Sequence, residues 1–195
     1  MNINLKKQLR NEILKTRNLL STDAIKQAEE QILSNLSKLS QFNAAKEIFC
    51  YFSFRSEVPT GSIISDCLSK CKNVYIPVTV NETKEMIISK YDFDTVLAPS
   101  SFGVPEPTSS SIRIGDRSLL DAAIMPGAVF DHSGYRIGYG AGYYDKFFAL
   151  TPKNIYKIAL AYSFQVIDEV PRDDHDVPVD CIVTEKEIIM CKNII

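Results

Sequence analysis

The order of three short segments constrains this chain more than any other feature. An aromatic-rich run at 47–53 (EIFCYFS) is short enough for a buried strand, a helical stretch follows at 60–71, and a second apolar run comes at 73–78 (NVYIPV). Strand, helix and strand in that succession imply a crossover connection, and so a largely parallel sheet covered on both faces. Candidate strands at 86–91, 122–127, 155–162 and 180–185 extend the sheet. Ahead of it, Leu5, Leu9, Ile13 and Leu20 recur at helical spacing, and Ser21 and Asp23 supply helix-start chemistry for a second helix reaching about residue 39. The expected fold is a three-layer α/β domain with a largely parallel central sheet, helices on both faces and an N-terminal helical pair. With 195 residues, 45% of them hydrophobic, 1–195 can form one domain around a sizeable core. The Pro, Gly and Ser content of 99–111 (PSSFGVPEPTSSS) reads as an exposed loop.

Charge and cysteine usage narrow the function. A net charge of -2 provides no basic field of the kind long nucleic-acid contacts need, so no nucleic-acid partner is expected. Cysteines 50, 67, 71, 181 and 191 are odd in number and show no disulfide-framework spacing, and Cys67 and Cys71 lack a neighbouring histidine for zinc. Reduced thiols in a cytoplasmic protein are expected. The N-terminus lacks the apolar core of a secretory signal, and no stretch approaches the roughly 20 apolar residues of a membrane span.

The strongest local signal is glycine clustering. Of eight glycines, Gly127, Gly134, Gly138, Gly140 and Gly142 fall in 125–148, MPGAVFDHSGYRIGYGAGYYDKFF. A strand runs into this segment and a helix at about 143–150 leaves it, so backbone N–H groups can converge on an anion. The spacing is not the dinucleotide fingerprint, because Tyr143 stands where its third glycine belongs. An unconventional phosphate cradle and a sinuous turn both remain open. Asp145 begins the following helix, and 173–180 (DDHDVPVD) offers Asp173, Asp174, Asp176, Asp180 and His175. One aspartate from each segment would suffice for Mg²⁺, which is usually held by one or two carboxylates, whereas turn and capping roles are the better reading for Asp173, Asp174 and Asp180. Lys6, Arg10 and Arg17 lie on one stripe of the first helix; such a stripe can grip phosphates, yet helix surfaces routinely carry Lys and Arg. Glu57 follows a strand's carboxyl end, where α/β proteins place ligands, and could equally cap the next helix.

Together these blocks resemble the 5-formyltetrahydrofolate cyclo-ligase family. The similarity runs through KKQLR at 6–10, YFSFRSEVPT at 51–60, FGVPEP at 102–107, the glycine segment with its RIGYGAGYYD core, and AYSFQVIDEVPRDDHDVPVDCIVTE at 161–185. It implies an ATP- and Mg²⁺-dependent enzyme that cyclises 5-formyltetrahydrofolate to 5,10-methenyltetrahydrofolate. On this resemblance Lys6, Lys7, Gln8, Leu9 and Arg10 contact ATP, with Arg10 also near the substrate. Arg136, Ile137, Gly138, Tyr139, Gly140, Ala141, Gly142, Tyr143 and Tyr144 wrap the phosphates, and the part from Tyr139 to Tyr143 reaches the folate. Phe52 and Glu57 line the folate site, Glu57 by accepting hydrogen bonds from the pterin edge. Asp145 and Asp176 hold Mg²⁺, and Lys6, Arg10 and Arg136 neutralise developing charge. The partners are small molecules, and the enzyme is expected to be a monomer. Ala141 replaces a glycine common in relatives, which matters only if that position needs a positive φ. Rival readings are an ATP-dependent kinase and a non-catalytic nucleotide- or folate-binding protein.

Overall fold

The computed structural model describes residues 2–151 and 155–191, without the side chains of residues 2 and 3. Helices α1 (Asn2–Arg17), α2 (Thr22–Leu36) and α3 (Ser40–Ala44) lead into β1 (Glu47–Cys50), α4 (Gly61–Ser69), β2 (Asn73–Val80) and β3 (Glu85–Tyr91). The chain continues through β4 (Leu97–Pro99), β5 (Pro105–Pro107), β6 (Ala122–Met125), β7 (Val129–Asp131), β8 (Arg136–Ile137) and α5 (Tyr143–Ala149). It closes with β9 (Tyr156–Leu160), β10 (Val166–Ile167), β11 (Cys181–Val183) and β12 (Ile188–Met190).

Among the described residues a seven-stranded sheet has the order β12-β11-β9-β6-β1-β2-β3. Its interior pairs β11/β9, β9/β6, β6/β1 and β1/β2 are parallel, and the two edge strands pair antiparallel. The central strands are mostly apolar because alternate residues enter two different cores. In β6, Ala122 and Ile124 join one core while Ala123 and Met125 join the other, and in β1 Ile48 and Cys50 face away from Phe49 in the same way. The first core is roofed by Ile32 and Leu36 of α2 with Ile63, Ile64 and Cys67 of α4, the second by Phe147 of α5. Ile32 is fully buried, so truncation to Ala should cost about 2–5 kcal/mol. The hydroxyl of Ser21 accepts from Ala24 N, the N-cap bond expected for α2.

Two elements depart from expectation. The opening helices go to different places: α2 lies on the main sheet, whereas Leu9, Ile13 and Leu14 of α1 pack on Ala128, Val129, Ile137 and Val170 of a separate small sheet, β10-β7-β8. The segment 99–111 is not simply an exposed loop. Strands β4 and β5 pair through it, and buried Glu106 accepts from the backbone N–H and hydroxyl of Thr79 on β2. Prolines at 99, 105 and 107 hid the pairing, since a two-stranded ribbon tolerates residues that a central strand does not.

Candidate active site

The site forms where the parallel strands end. Beyond β1 the chain folds back on itself: Tyr51 donates its hydroxyl to Val58 O, and Ser53 and Thr60 exchange backbone-to-hydroxyl bonds. Within this tight loop Phe54 N donates to Glu57 Oε2 at 2.9 Å, which turns the Glu57 carboxylate inward and leaves the residue 8% exposed. Burial pushes the Glu57 carboxyl above its ordinary pKa, and the bonds from Phe54 N and Tyr139, with the charge of Arg17, oppose that rise.

Beyond β6 the glycine segment first makes the β7–β8 hairpin. Asp131, 2% exposed, organises it by accepting from Ser133 N and Tyr135 N on one oxygen and from Val170 N on the other. The hairpin delivers Arg136, whose buried guanidinium donates to Asp145 Oδ1 at 2.9 Å and lies 5.5 Å from the centre of the Tyr144 ring. Arg136 Nε is buried with no hydrogen-bond partner among the described residues, a donor well suited to an incoming anion. The chain then emerges as an exposed loop at 139–142, with left-handed φ at Gly140 (100°) and Gly142 (70°). Among the described residues the non-glycine positions with positive φ are Arg55, Cys71 and Lys84, so Ala141 needs no special conformation.

Helix α1 spans this opening with its cationic stripe. Arg10 Nε donates to Gly138 O at 2.7 Å, and Lys6 Nζ bridges Asp173 and Asp176 at 2.8 and 2.7 Å. Burial tends to lower the Lys6 pKa, but its bonds to the two aspartates outweigh that and raise it. Of the other 6–10 positions, Leu9 packs into the small core, Lys7 is exposed, and exposed Gln8 donates to Glu12. Ile137 is buried in the same small core, so its backbone alone faces the loop.

The two expected metal ligands lie on neighbouring segments. Val177 N donates to Asp145 Oδ1 at 3.3 Å, placing Asp145 beside the segment that carries Asp176. The bonds described for Asp145 fall on Oδ1 and those for Asp176 on Oδ2, so each carboxylate has a second oxygen to offer. Asp173, His175 and Asp176 place ligand atoms within 4.8 Å of one another. Hard carboxylate oxygens beside an unpartnered arginine donor fit Mg²⁺ with a phosphate.

Aromatic contacts involve residues that follow both loops. Phe52 meets Tyr91 edge-on at 5.8 Å, Phe102 meets Tyr143 at 6.2 Å, and Gly103 packs against the Phe54 ring. Phe102 was not a candidate from sequence, although it lies in the FGVPEP block. Arg17 was seen only as the third member of a surface stripe. It is 2% exposed and donates to Ser56 Oγ (3.1 Å), Gly127 O (3.3 Å) and Tyr139 Oη (2.6 Å).

Known proteins resemble the chain over most of its length. Residues 2–185 match the 5-formyltetrahydrofolate cyclo-ligase family. A 5-formyltetrahydrofolate cyclo-ligase of Haemophilus influenzae is 33% identical over 181 residues, covering 92% of this chain and 97% of that protein. The solved 5,10-methenyltetrahydrofolate synthetase of Aquifex aeolicus superposes with a TM-score of 0.83 at 33% identity, covering 96% of this chain and 93% of the other. That of Mycoplasma pneumoniae gives 0.75 at 25% identity, covering 92% and 98%.

Proposed function

The chain belongs to the 5-formyltetrahydrofolate cyclo-ligase family, and from that premise we propose that it uses ATP and Mg²⁺ to close 5-formyltetrahydrofolate into 5,10-methenyltetrahydrofolate, releasing ADP and phosphate. The observation that supports this most is a linked set of charges beside the exposed glycine loop: Arg10 bonds Gly138 O, Arg136 bonds Asp145, and Asp145 accepts from the segment whose Asp176 pairs with Lys6, with a buried carboxylate at Glu57. A single domain acting as a monomer is part of the same reading.

The chemical difficulty is the formyl oxygen, a poor leaving group on an amide carbon. It attacks the γ-phosphorus of ATP and ADP departs, leaving an iminium phosphate on N5. The N10 amine then adds to the same carbon, phosphate leaves with the former formyl oxygen, and N10 loses its proton. No protein nucleophile is required, so the chain's work is positioning and neutralising charge. Lys6, Arg10 and Arg136 face the phosphates, and the 138–142 backbone approaches them closely because glycine carries no Cβ. Phe52 and Tyr143 flank the folate rings, and Glu57 accepts from the pterin N–H groups. Asp145 and Asp176 would hold Mg²⁺, which when bound supplies polarisation of the γ-phosphoryl group.

The test is the methenyl absorbance when purified protein meets 5-formyltetrahydrofolate, ATP and Mg²⁺, with ATP and metal omitted in turn. A rise that needs all three supports the reading; no rise in a protein that still binds ATP sinks it. Asp145→Ala should fold and lose turnover, and wild-type turnover of that variant at limiting Mg²⁺ would remove Asp145 from the ligand set.

A further inference from the structure

We propose that Arg17 is a positioning residue of the reaction, its buried guanidinium acting as a rigid three-pronged strap that sets the glycine loop against the loop carrying Glu57, and so one substrate against the other. The inference rests on the reading above, in which the glycine loop holds the ATP phosphates and the Glu57 loop the pterin, and extends it to a residue inside the fold.

Arg17 ends α1 and is 2% exposed. Each of its three side-chain nitrogens donates to a different segment: Nε to Ser56 Oγ at 3.1 Å, Nη1 to Gly127 O at 3.3 Å and Nη2 to Tyr139 Oη at 2.6 Å. Ser56 precedes Glu57 in the loop beyond β1, Gly127 lies just beyond β6, and Tyr139 opens the exposed glycine loop. A guanidinium is planar and its donors form a fixed fork, so the three acceptors are held at fixed positions relative to one another. Two of them are also held from elsewhere. Gly127 O accepts from the side-chain amide of buried Gln165, and the Ser56 hydroxyl, which accepts from Arg17, donates to Asn18 Oδ1 on the next residue of the chain. Tyr139 is the movable one: it is 50% exposed, with the Arg17 guanidinium bonded to its hydroxyl and lying 5.9 Å from its ring centre.

The residue type supports a geometric role. All three acceptors are uncharged, so the bonds satisfy the guanidinium's donors without neutralising it, and burying a cation on those terms is costly. An apolar side chain of similar length would fill the space at less cost but would tie no loop to another. The stripe's other cations act nearer the open face, where Arg10 donates to Gly138 O and Lys6 to Asp173 and Asp176. The glycine loop is therefore tied to α1 at Gly138 and again at Tyr139, and the second tie continues through the same guanidinium to Ser56. In the proposed reaction the formyl oxygen must meet the γ-phosphorus in line, and a misplacement of about 1 Å costs on the order of 100-fold in rate. A strap between the phosphate loop and the pterin loop acts on that alignment, so its loss shows in the rate of the chemical step rather than in the affinity for either substrate.

Two measurements test this. In substrate-free Arg17→Met, ¹⁵N relaxation should show lowered order parameters for the amides of 139–142, with those of the 129–137 hairpin, tied by Asp131, unchanged. In single turnover, the rate at saturating 5-formyltetrahydrofolate and ATP should fall about 10- to 100-fold, while the concentration of each that half-saturates it stays within about threefold of wild type. Arg17→Lys keeps the charge but presents one point donor in place of a fork, so it should not restore the rate. Ser56→Ala and Tyr139→Phe each cut one prong; each should lower the rate in part even if Arg17→Met fails to fold, and neither should add to the loss in Arg17→Met. A lowered Tm with the single-turnover rate per folded molecule and the loop order parameters unmoved would make Arg17 merely structural and overturn the proposal. A loss confined to the affinity for one substrate, or a full rate in Arg17→Lys, would overturn it too. Wild-type protein inactive on 5-formyltetrahydrofolate would sink the functional reading instead, and the order parameters would still decide on the strap.

Discussion

The glycine segment contains two halves that use the same residue type for opposite ends. In the first, from Gly127 to Ile137, glycine makes room for packing: a β-carbon on Gly127 would strike the Phe130 ring, and one on Gly134, held at φ 90°, would strike Val179 O. The N–H groups of Ser133, Gly134 and Tyr135, which turn the hairpin, all land on Asp131. In the second, from Gly138 to Gly142, the close neighbours are guanidinium groups: a β-carbon on Gly138 would meet Arg136 Nη1 at 3.3 Å. A β-carbon on Gly142 would meet no atom within 4 Å, and one on Gly140 would meet only the Arg10 guanidinium, at 3.5 Å. One half is frozen to present Arg136, and the other is left open, its close neighbours among the described residues being the cations Arg136 and Arg10. This is the arrangement expected of a loop whose partner is an anion from outside.

If that contrast is right, substitution should separate stability from turnover. The largest effect is expected for Gly134→Ala, which combines left-handed strain with a backbone clash; it should cost about 3 kcal/mol and lower Tm by roughly 6–12 °C, with turnover per folded molecule preserved. Thermal unfolding beside activity measured well below Tm reads both. Gly142→Ala, in open space, should cost only about 1–2 kcal/mol for its left-handed φ, while kcat/KM for ATP falls about tenfold or more as the loop loses its approach to the phosphates. A Gly142→Ala protein that loses more stability than Gly134→Ala, or that keeps full activity, would break the contrast.

The sequence revealed the frozen architecture unevenly. Strands β1, β6, β9 and β11 were legible because their unbroken apolar runs reflect two buried faces, and Ser21 announced α2 through capping chemistry. The β7–β8 hairpin was not, since strands of three and two residues cannot display a period. Its determinant is one carboxylate, Asp131, whose three N–H donors come from 133, 135 and 170, the last of them 39 positions away. The open half was easier to find, because clustered glycines are themselves the signal. Arg17 shows the limit of reading a helix stripe. It shares a face with Lys6 and Arg10, but only the docking of α1 on the small sheet decides that the last of the three enters the interior.

Glu57 sits on the seam between frozen and open regions, and it carries the smallest of the predicted effects. Its backbone loop is tightly bonded, yet its carboxylate faces a tyrosine of the open loop. Burial raises its pKa above the ordinary 4.5, so the folded protein holds this proton more tightly than the unfolded chain does. The contribution to stability is then full below pH 4.5 and is lost as pH rises from 4.5 through the folded-state pKa. Glu57→Gln, whose amide oxygen can still accept from Phe54 N, should abolish that decline, so urea midpoints of the two proteins diverge on raising the pH through this window, the variant ending as the more stable. The same variant should bind 5-formyltetrahydrofolate more weakly, because an amide offers the pterin edge one acceptor oxygen and no charge. Parallel urea curves across the window would place Glu57 wholly on the frozen side, as a residue that shapes its loop and senses nothing of the open one. Diverging curves with weakened folate binding would mean that the chain keeps a buried charge at some expense in stability because the substrate uses it.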